Sequence, residues 1–371
     1  MPSELTSAPV LNPIPGKSDI RRLCELASRG LKPMFDPEEG MFCRRFIREG
    51  GSSGSLVRDG LSYRYTIMSF LGLLEYERSG GIAPIPLRES IQRLVAREST
   101  PDNIGDLGLL LWLCARATPE KIADIVRVHR VETALERYDG ARERNTMELS
   151  WLLTGLSCAG ISDLAGKTYE MLRTNQGAHG FFGHSASTGT VAGRFRGSVG
   201  SFADQVYPIY AFSSFFIAFH NAEALDSAMK CANATCDAQG PLGQWWWHYD
   251  AKSGRVVQHY PVYSVHQHAM GPMALLKVMQ ASKQDLTGQV LKGLSWIYGA
   301  NELETPTVDE ESSVVWRCIL PQSRLQMRAD QALAYLRLPQ ELERNRRLRI
   351  LYECWPYELG WLLYAFSNSS L

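Results

Sequence analysis

Three stretches far apart in the chain share one design: Asp106-Leu-Gly-Leu-Leu-Leu-Trp, Glu148-Leu-Ser-Trp-Leu-Leu and Glu358-Leu-Gly-Trp-Leu-Leu. Each opens on an acid, passes through leucine to a small residue, and continues as an apolar run close to an aromatic ring. A helix made from such a run has no polar face and must be buried almost all round. Asp106 and Glu148 are 42 residues apart, and Glu358 lies 210 residues further on, five such intervals. One interval back from Asp106 falls on Arg64, inside the apolar segment SYRYTIMSFLGLL. DQVYPIYAFSSFFIAF (204–219) and HQHAMGPMALLKVM (266–279) complete a set of six apolar helices.

Between them run segments with charge on one face and Leu, Ala, Ile or Val at three- and four-residue spacing: 19–29, 87–97, 119–137, 161–174, 222–236, 284–298 and 325–350. That is the pattern of amphipathic helices. Buried helices alternating with half-buried ones fit an inner ring wrapped by an outer one. The sequence therefore predicts an all-α (α/α)6 toroid, a double ring of inner and outer helices, with aromatic-rich loops at one end. An open α-solenoid is the alternative. Residues 1–18 read as a tail and 19–371 as a single toroid domain. Short extended pieces are expected only at VVQHYPVY (256–263) and SSVVWRC (312–318).

With 39 basic and 39 acidic residues the formal charge is zero, which gives no electrostatic footprint for nucleic acid or an anionic membrane. The basic cluster RNRRLR at 344–349 reads as the solvated face of a helix. LGLLLWLCA (107–115) is the most apolar stretch and falls short of the roughly 20 residues that span a bilayer. The N-terminus has no basic start followed by an apolar run. Eight scattered cysteines without a CxxC pair point to a reduced, cytoplasmic protein. Neither GxxxxGK[ST], GxGxxG nor HExxH occurs, so no cofactor and no metal are expected. The Gly/Ser/Thr-rich stretch HSASTGTVAGRFRGSVGSF (184–202) reads as a lid. Oligomeric state is left open.

NQGAHGFFGH (175–184) and DAQGPLGQWWW (237–247) share a glutamine, three residues, a glycine and then aromatics. Gln239 through Gly243-Gln244-Trp245 resembles the QW motif of terpenoid cyclases, and Gln176 through Gly180-Phe181-Phe182 is a looser copy. On these motifs and the helix alternation, residues 55–371 resemble the toroid superfamily of terpenoid cyclases and protein prenyltransferases, and the six-hairpin glycosidases. In that setting the glutamine amide ties neighbouring helix ends while the ring stacks over it. The terpenoid chemistry is not carried over, because DxDD and DDxxD are both absent.

Candidate functional residues collect where inner helices begin. Glu148 and Asp204 open two of them, and an acid there either complements the helix dipole or serves as a general acid or base. Asp250, on the turn after the tryptophans, is the third candidate carboxylate. Tyr263 and His266 are candidate proton carriers for a lyase or epimerase route. Arg64 and Tyr65, Trp246 and Trp247, Tyr260, Gln267 and His268 are candidate substrate-binding groups. Flat rings suit the apolar faces of sugars, and His, Tyr, Gln and Asp suit their hydroxyls. The expected function is a carbohydrate-active enzyme that cleaves or rearranges a glycosidic substrate, an oligosaccharide or small molecule, at the toroid mouth. The alternatives are an unusual isoprenoid enzyme and a non-catalytic toroid that binds a glycan or a protein.

Overall fold

The computed structural model describes residues 14–50, 54–97, 101, 103–139, 143–187, 196–338, 340 and 346–371. Six inner helices close into a ring in chain order: Tyr63–Arg78, Ile104–Ala117, Thr146–Cys158, Ala203–Phe219, His266–Ser282 and Pro356–Phe366. Each packs against the next, and the last returns to the first. The fifth begins as a π-helical turn over His266–Met270 and continues as α-helix from Gly271. The outer layer is formed by Lys17–Met34, Leu87–Val95, the pair Ile122–Val128 and Val131–Asp139, Ser162–Arg173, Ala222–Asp237 and Thr287–Ile297. The expected (α/α)6 toroid is the fold observed. No helix among the described residues is long and apolar enough to cross a membrane.

The recurrent small residue explains how the ring closes. A Cβ placed on Gly72 would lie 2.0 Å from the Gly360 carbonyl oxygen, and one on Gly155 would lie 2.1 Å from that of Gly108. Glycine therefore lets neighbouring inner helices touch backbone to backbone, and Gly108 and Gly360 hold the same place in the acid-Leu-small repeat. Gly72→Ala is expected to destabilise the protein by about 3 kcal/mol, the overpacking range for a crowded core. Gly166→Ala, on the outer helix Ser162–Arg173 where an added Cβ meets nothing within 4 Å, should be neutral or slightly stabilising. Calorimetric unfolding of both variants checks the contrast; equal Tm values would refute the close-approach account.

The two glutamines make the same pair of hydrogen bonds. Gln176 Nε2 donates to the Gly180 carbonyl at 3.0 Å and to Ser227 of the next outer helix at 2.9 Å. Gln239 Nε2 repeats this with Gly243 at 3.0 Å and Gln289 at 3.0 Å. Each amide closes its own turn and staples it to the following outer helix.

Three expectations need correction. The interval of 42 residues does not run around the ring, because only three inner-helix steps separate Glu148 from Glu358. Inserted hairpins and sheets lengthen those steps. The segment 119–137 is two helices broken at His129-Arg130, where Arg130 has φ 46°. Of the segment 325–350, the described residues are helical over Arg324–Tyr335, and Leu348–Leu351 is a strand paired with Cys318–Pro321. The arginine-rich cluster thus does not form a helix face where it is described, and Arg344 and Asn345 lie outside the described residues.

More β-structure is present than the sequence announced, and it has a function in the architecture. Met41–Arg48 pairs with Phe35–Asp36, Leu56–Leu61 and Glu353–Cys354, with Cys354 opposite Phe46. Val199–Ser201, His248–Asp250 and Arg255–Gln258 form a second antiparallel sheet. Val262–Tyr263, Cys318–Pro321 and Leu348–Leu351 form a third, with Val262 opposite Ile319. Strands ending at Leu61, Asn145, Ser201, Tyr263 and Cys354 each lead within one or two residues into an inner helix. The ladders fix where five of the six inner helices start, and with them the first-turn side chains.

Candidate active site

Because all six inner helices start at the same end of the ring, their first turns set Arg64, Asp106, Glu148, Asp204, His266 and Glu358 around one mouth. Contacts between these turns close the circle. Arg64 donates through Nε and Nη2 to Asp106, at 2.5 and 3.1 Å, and lies 5.0 Å above the Trp151 ring. Trp151 meets Tyr207 edge-on at 5.2 Å, and Tyr207 accepts a hydrogen bond from Trp361 Nε1 at 3.0 Å. Phe202 packs on His266 at 4.4 Å. Tyr65 stacks on Tyr357 at 4.7 Å, joining the first helix to the last.

The acids at this mouth are not equivalent. Asn103 and Asn145 cap their helices by accepting from the backbone N–H of Asp106 and Glu148, which puts both acids at the third helical position. A carboxylate there often folds back to the cap N–H. Of the acids Asp106, Glu148 and Glu358 at that position, Glu358 does so, accepting from Trp355 N at 3.2 Å. Asp106 is 2 % exposed and held by Arg64. Asp204 is 1 % exposed and accepts from the backbone N and Oγ of Ser201 at 2.8 and 2.9 Å. Its Oδ2 also lies 3.3 Å from His184 Nδ1, while His184 Nε2 is 3.1 Å from Asn145 Nδ2. Glu358 is fully buried and takes Arg317 Nη1 at 2.6 Å. Glu148 is the exception. It is half-buried, and the hydrogen bond to its side chain is the one donated by Tyr138 to Oε2 at 2.9 Å. That bond engages Oε2, no hydrogen bond to Oε1 is made among the described residues, and the Glu148 charge acts on Arg64.

Burial sets the charge states. It pushes the Glu358 carboxyl up to about 7, with Arg317 and the Trp355 N–H limiting the rise. His266 is driven down to about 3, first by burial, with the Arg317 charge adding to it. Burial raises Tyr263 well above the ordinary tyrosine value. At neutral pH His266 is therefore a neutral imidazole and Tyr263 a neutral phenol. Tyr263 is poorly suited to act as an anionic base, and His266 to donate a proton. Trp247 is half-buried against both, 4.8 Å from Tyr263 and 6.0 Å from His266 with nearly parallel planes. These three rings form one wall of the mouth.

Several candidates sit elsewhere. Asp250 is fully buried, accepting from Ser198 Oγ at 2.9 Å and from the turn N–H groups of Lys252 and Ser253. It ties a hairpin together and is not part of the ring of first turns. Trp246 is buried edge-on against His259 at 4.6 Å, a packing role. Tyr260 is 4 % exposed and donates to Glu302. Gln267 accepts from the Trp245 N–H and donates to the Tyr263 carbonyl, holding the hairpin to the inner helix. His268 is fully buried, and its pKa falls to about 3. Gln267 and His268 lie on the π-helical turn, Asp250 ends the strand His248–Asp250, and Trp246 and Tyr260 lie in the connections beside the strands. Of the stretch 184–202 read as a lid, residues 188–195 lie outside the described residues.

The sequence reading passed over Arg317, which lies face-on to Trp355 at 3.5 Å and 5.0 Å from Tyr263. It arrives between two short strands, with no periodicity to mark it. His184 and Tyr138 are also absent from the candidates, since His184 lies in a connection and Tyr138 at the end of the outer helix Val131–Asp139. Among the described residues no three His, Cys, Asp or Glu side chains converge closely enough to hold a metal ion.

No protein-family model and no curated protein sequence matches the chain. Solved structures do match in shape. A possible member of the GH105 family from Klebsiella pneumoniae superposes with a TM-score of 0.61 at 12 % identity, over 98 % of this chain and 96 % of that one. An unsaturated glucuronyl hydrolase specific for heparin gives 0.61 at 15 % identity, over 95 % and 96 %. An inactive variant of the GH76A α-1,6-mannanase of Salegentibacter sp. HEL1_6, bound to α-1,6-mannotriose, gives 0.57 at 11 % identity, over 94 % and 99 %. At these identities the likeness concerns the fold: the chain has the (α/α)6 toroid architecture of these glycosidase structures along nearly its whole length.

Proposed function

We propose that this protein is a carbohydrate-active hydrolase that cleaves a glycosidic substrate at the N-terminal mouth of its inner ring. The observation that carries this reading is the half-buried Glu148 carboxylate, close enough for its charge to act on Arg64 and engaged through one oxygen by Tyr138, while the other ring acids are held by arginine, histidine or backbone partners. Glu148 is the acid or base that touches substrate. Asp204 orients His184, and Trp247 offers a flat face for a sugar ring. Arg64 uses Nε and Nη2 on Asp106 and keeps Nη1 for a substrate carboxylate, which favours a uronic-acid sugar. The names of the glucuronyl hydrolases that share the fold support the same direction. A mouth lined with Arg–carboxylate pairs is costly for an isoprenoid to cover and natural for a hydroxylated ring, so the sugar reading stands ahead of the terpenoid one. The lyase or epimerase route would need Tyr263 or His266 to change charge, which their burial opposes. All eight cysteines are free and six are buried, in keeping with a proposed cytoplasmic location.

A panel of unsaturated glucuronyl disaccharides, saturated glucuronides and α-1,6-linked mannosides tests the proposal by release of reducing ends. Turnover of the acidic members, with the mannosides at least tenfold slower, is the expected result. An intact protein that turns over none of them would overturn the hydrolase reading.

A further inference from the structure

At the opposite end of the ring, the last turns of the inner helices border a pocket of about 610 Å³. Tyr210, Tyr364 and Met273 form its apolar wall, and Glu75, Arg116 and Lys277 bring charge to it. Glu75 is already saturated. Its Oε1 accepts from Arg78 and Arg116, and its Oε2 from Asn368 at 2.9 Å. Lys277 is matched far less well. Its Nζ reaches Gln280 Oε1 at 3.3 Å and the Tyr210 ring face at 5.6 Å, and among the described residues no carboxylate pairs with it. Burial and the nearby Arg116 charge both lower its pKa, as expected for a cation short of a counter-charge. The Tyr210 and Tyr364 hydroxyls share a single hydrogen bond of 2.7 Å, so the pair retains one proton to donate.

Two cations, Arg116 and Lys277, therefore share one carboxylate in this pocket, and Arg116 is the one bound to it. We propose that this pocket is a second binding site, separate from the mouth, for a small organic anion. Lys277 and the tyrosine hydroxyls hold its carboxylate or phosphate group, and Met273 with the two rings covers its carbon body. Trp112 packs 5.1 Å from Tyr210 and 5.3 Å from Tyr364, so its fluorescence reports occupancy.

The test is calorimetric titration of the full chain with glucuronate, glucose 6-phosphate and inorganic phosphate, with glucose as the neutral control. At least one of the two organic anions should bind with a change in tryptophan fluorescence, and glucose should produce none. Glucuronate alone identifies a carboxylate ligand, and glucose 6-phosphate alone a phosphate ester. Lys277→Met should weaken that binding at least tenfold, while Lys277→Arg stays within about threefold; thermal unfolding of each shows that it is folded. Lack of binding of either organic anion by the wild type overturns the proposal. So does binding that Lys277→Met leaves unchanged, which would belong to the mouth. Binding confined to inorganic phosphate also refutes it.

Discussion

Arg317→Met is expected to destabilise the protein by about 3–5 kcal/mol at pH 8, the cost of leaving a buried charge without its partner. The Arg317 guanidinium is 12 % exposed and Glu358 not at all, so water can replace very little of the lost interaction. The penalty should depend on pH, and its sign follows from Glu358. Burial lifts its folded pKa to about 7, from 4.5 for an ordinary glutamate. The folded state thus holds a proton that the unfolded chain has released across that interval. Stability from this group is fully present below about 4.5 and is lost as pH rises to about 7. Removing Arg317 raises the carboxyl further, so the variant loses much less at pH 5, where Glu358 is protonated, than at pH 8. Arg317→Met combined with Glu358→Gln should recover most of the loss, because an amide in that place carries no charge. Urea unfolding of the two variants and the wild type at both pH values decides it. A penalty equal at pH 5 and pH 8 would mean that the lost packing on Trp355 dominates, not the ion pair.

The acid-Leu-small repeat was legible in the sequence because one local pattern carries two jobs. The acid falls at the third helical position and faces the mouth, while the small residue two places on falls at the helix–helix contact. That is why Asp106 and Gly108, or Glu358 and Gly360, can be read together and point to a ring. The apparent spacing was misleading, since 210 residues hold three inner helices together with hairpins and sheets inserted between them. The mouth was only partly legible. Arg64, Glu148, Asp204, Tyr263, His266 and Trp247 stand at or beside inner-helix starts, which first turns and aromatic runs mark in the sequence. The place of Asp250 was ambiguous because a carboxylate before Lys252-Ser253-Gly254 reads equally as a reactive acid and as the acceptor that closes a turn. The directions of Gln267 and His268 were hidden for a different reason. A π-helical turn shifts the register of the side chains that follow, and nothing in HQHAM announces one. Arg317 had no signal at all, because its partners Tyr263, Trp355 and Glu358 come together only when the last inner helix docks beside the fifth.

Replacing Glu148 by Gln is expected to lower kcat by at least about a thousandfold on the best acidic substrate, within the range for loss of a general acid or base. KM should change little, since the amide keeps the size and the hydrogen-bond acceptor of the original side chain. Stability should hardly move. The Tyr138 hydroxyl can still donate to the glutamine oxygen, and losing a first-turn charge costs about 0.3–1 kcal/mol. This contrast separates the two explanations of an acid in the first turn. If Glu148 only complements the helix dipole, the variant shows the small loss of stability and keeps its activity within tenfold of the wild type. If it moves a proton, the effect falls on kcat and one limb of the pH–rate profile disappears. Asp106→Asn offers the matching control from the neighbouring inner helix. Asp106 is bound through both oxygens to Arg64 and has almost no exposed surface, so its replacement should lower stability and weaken substrate binding through the freed arginine. Its pH–rate profile should keep both limbs. A Glu148→Gln enzyme that retains the full profile would remove Glu148 from the chemistry and leave it a helix-start residue that happens to face the mouth.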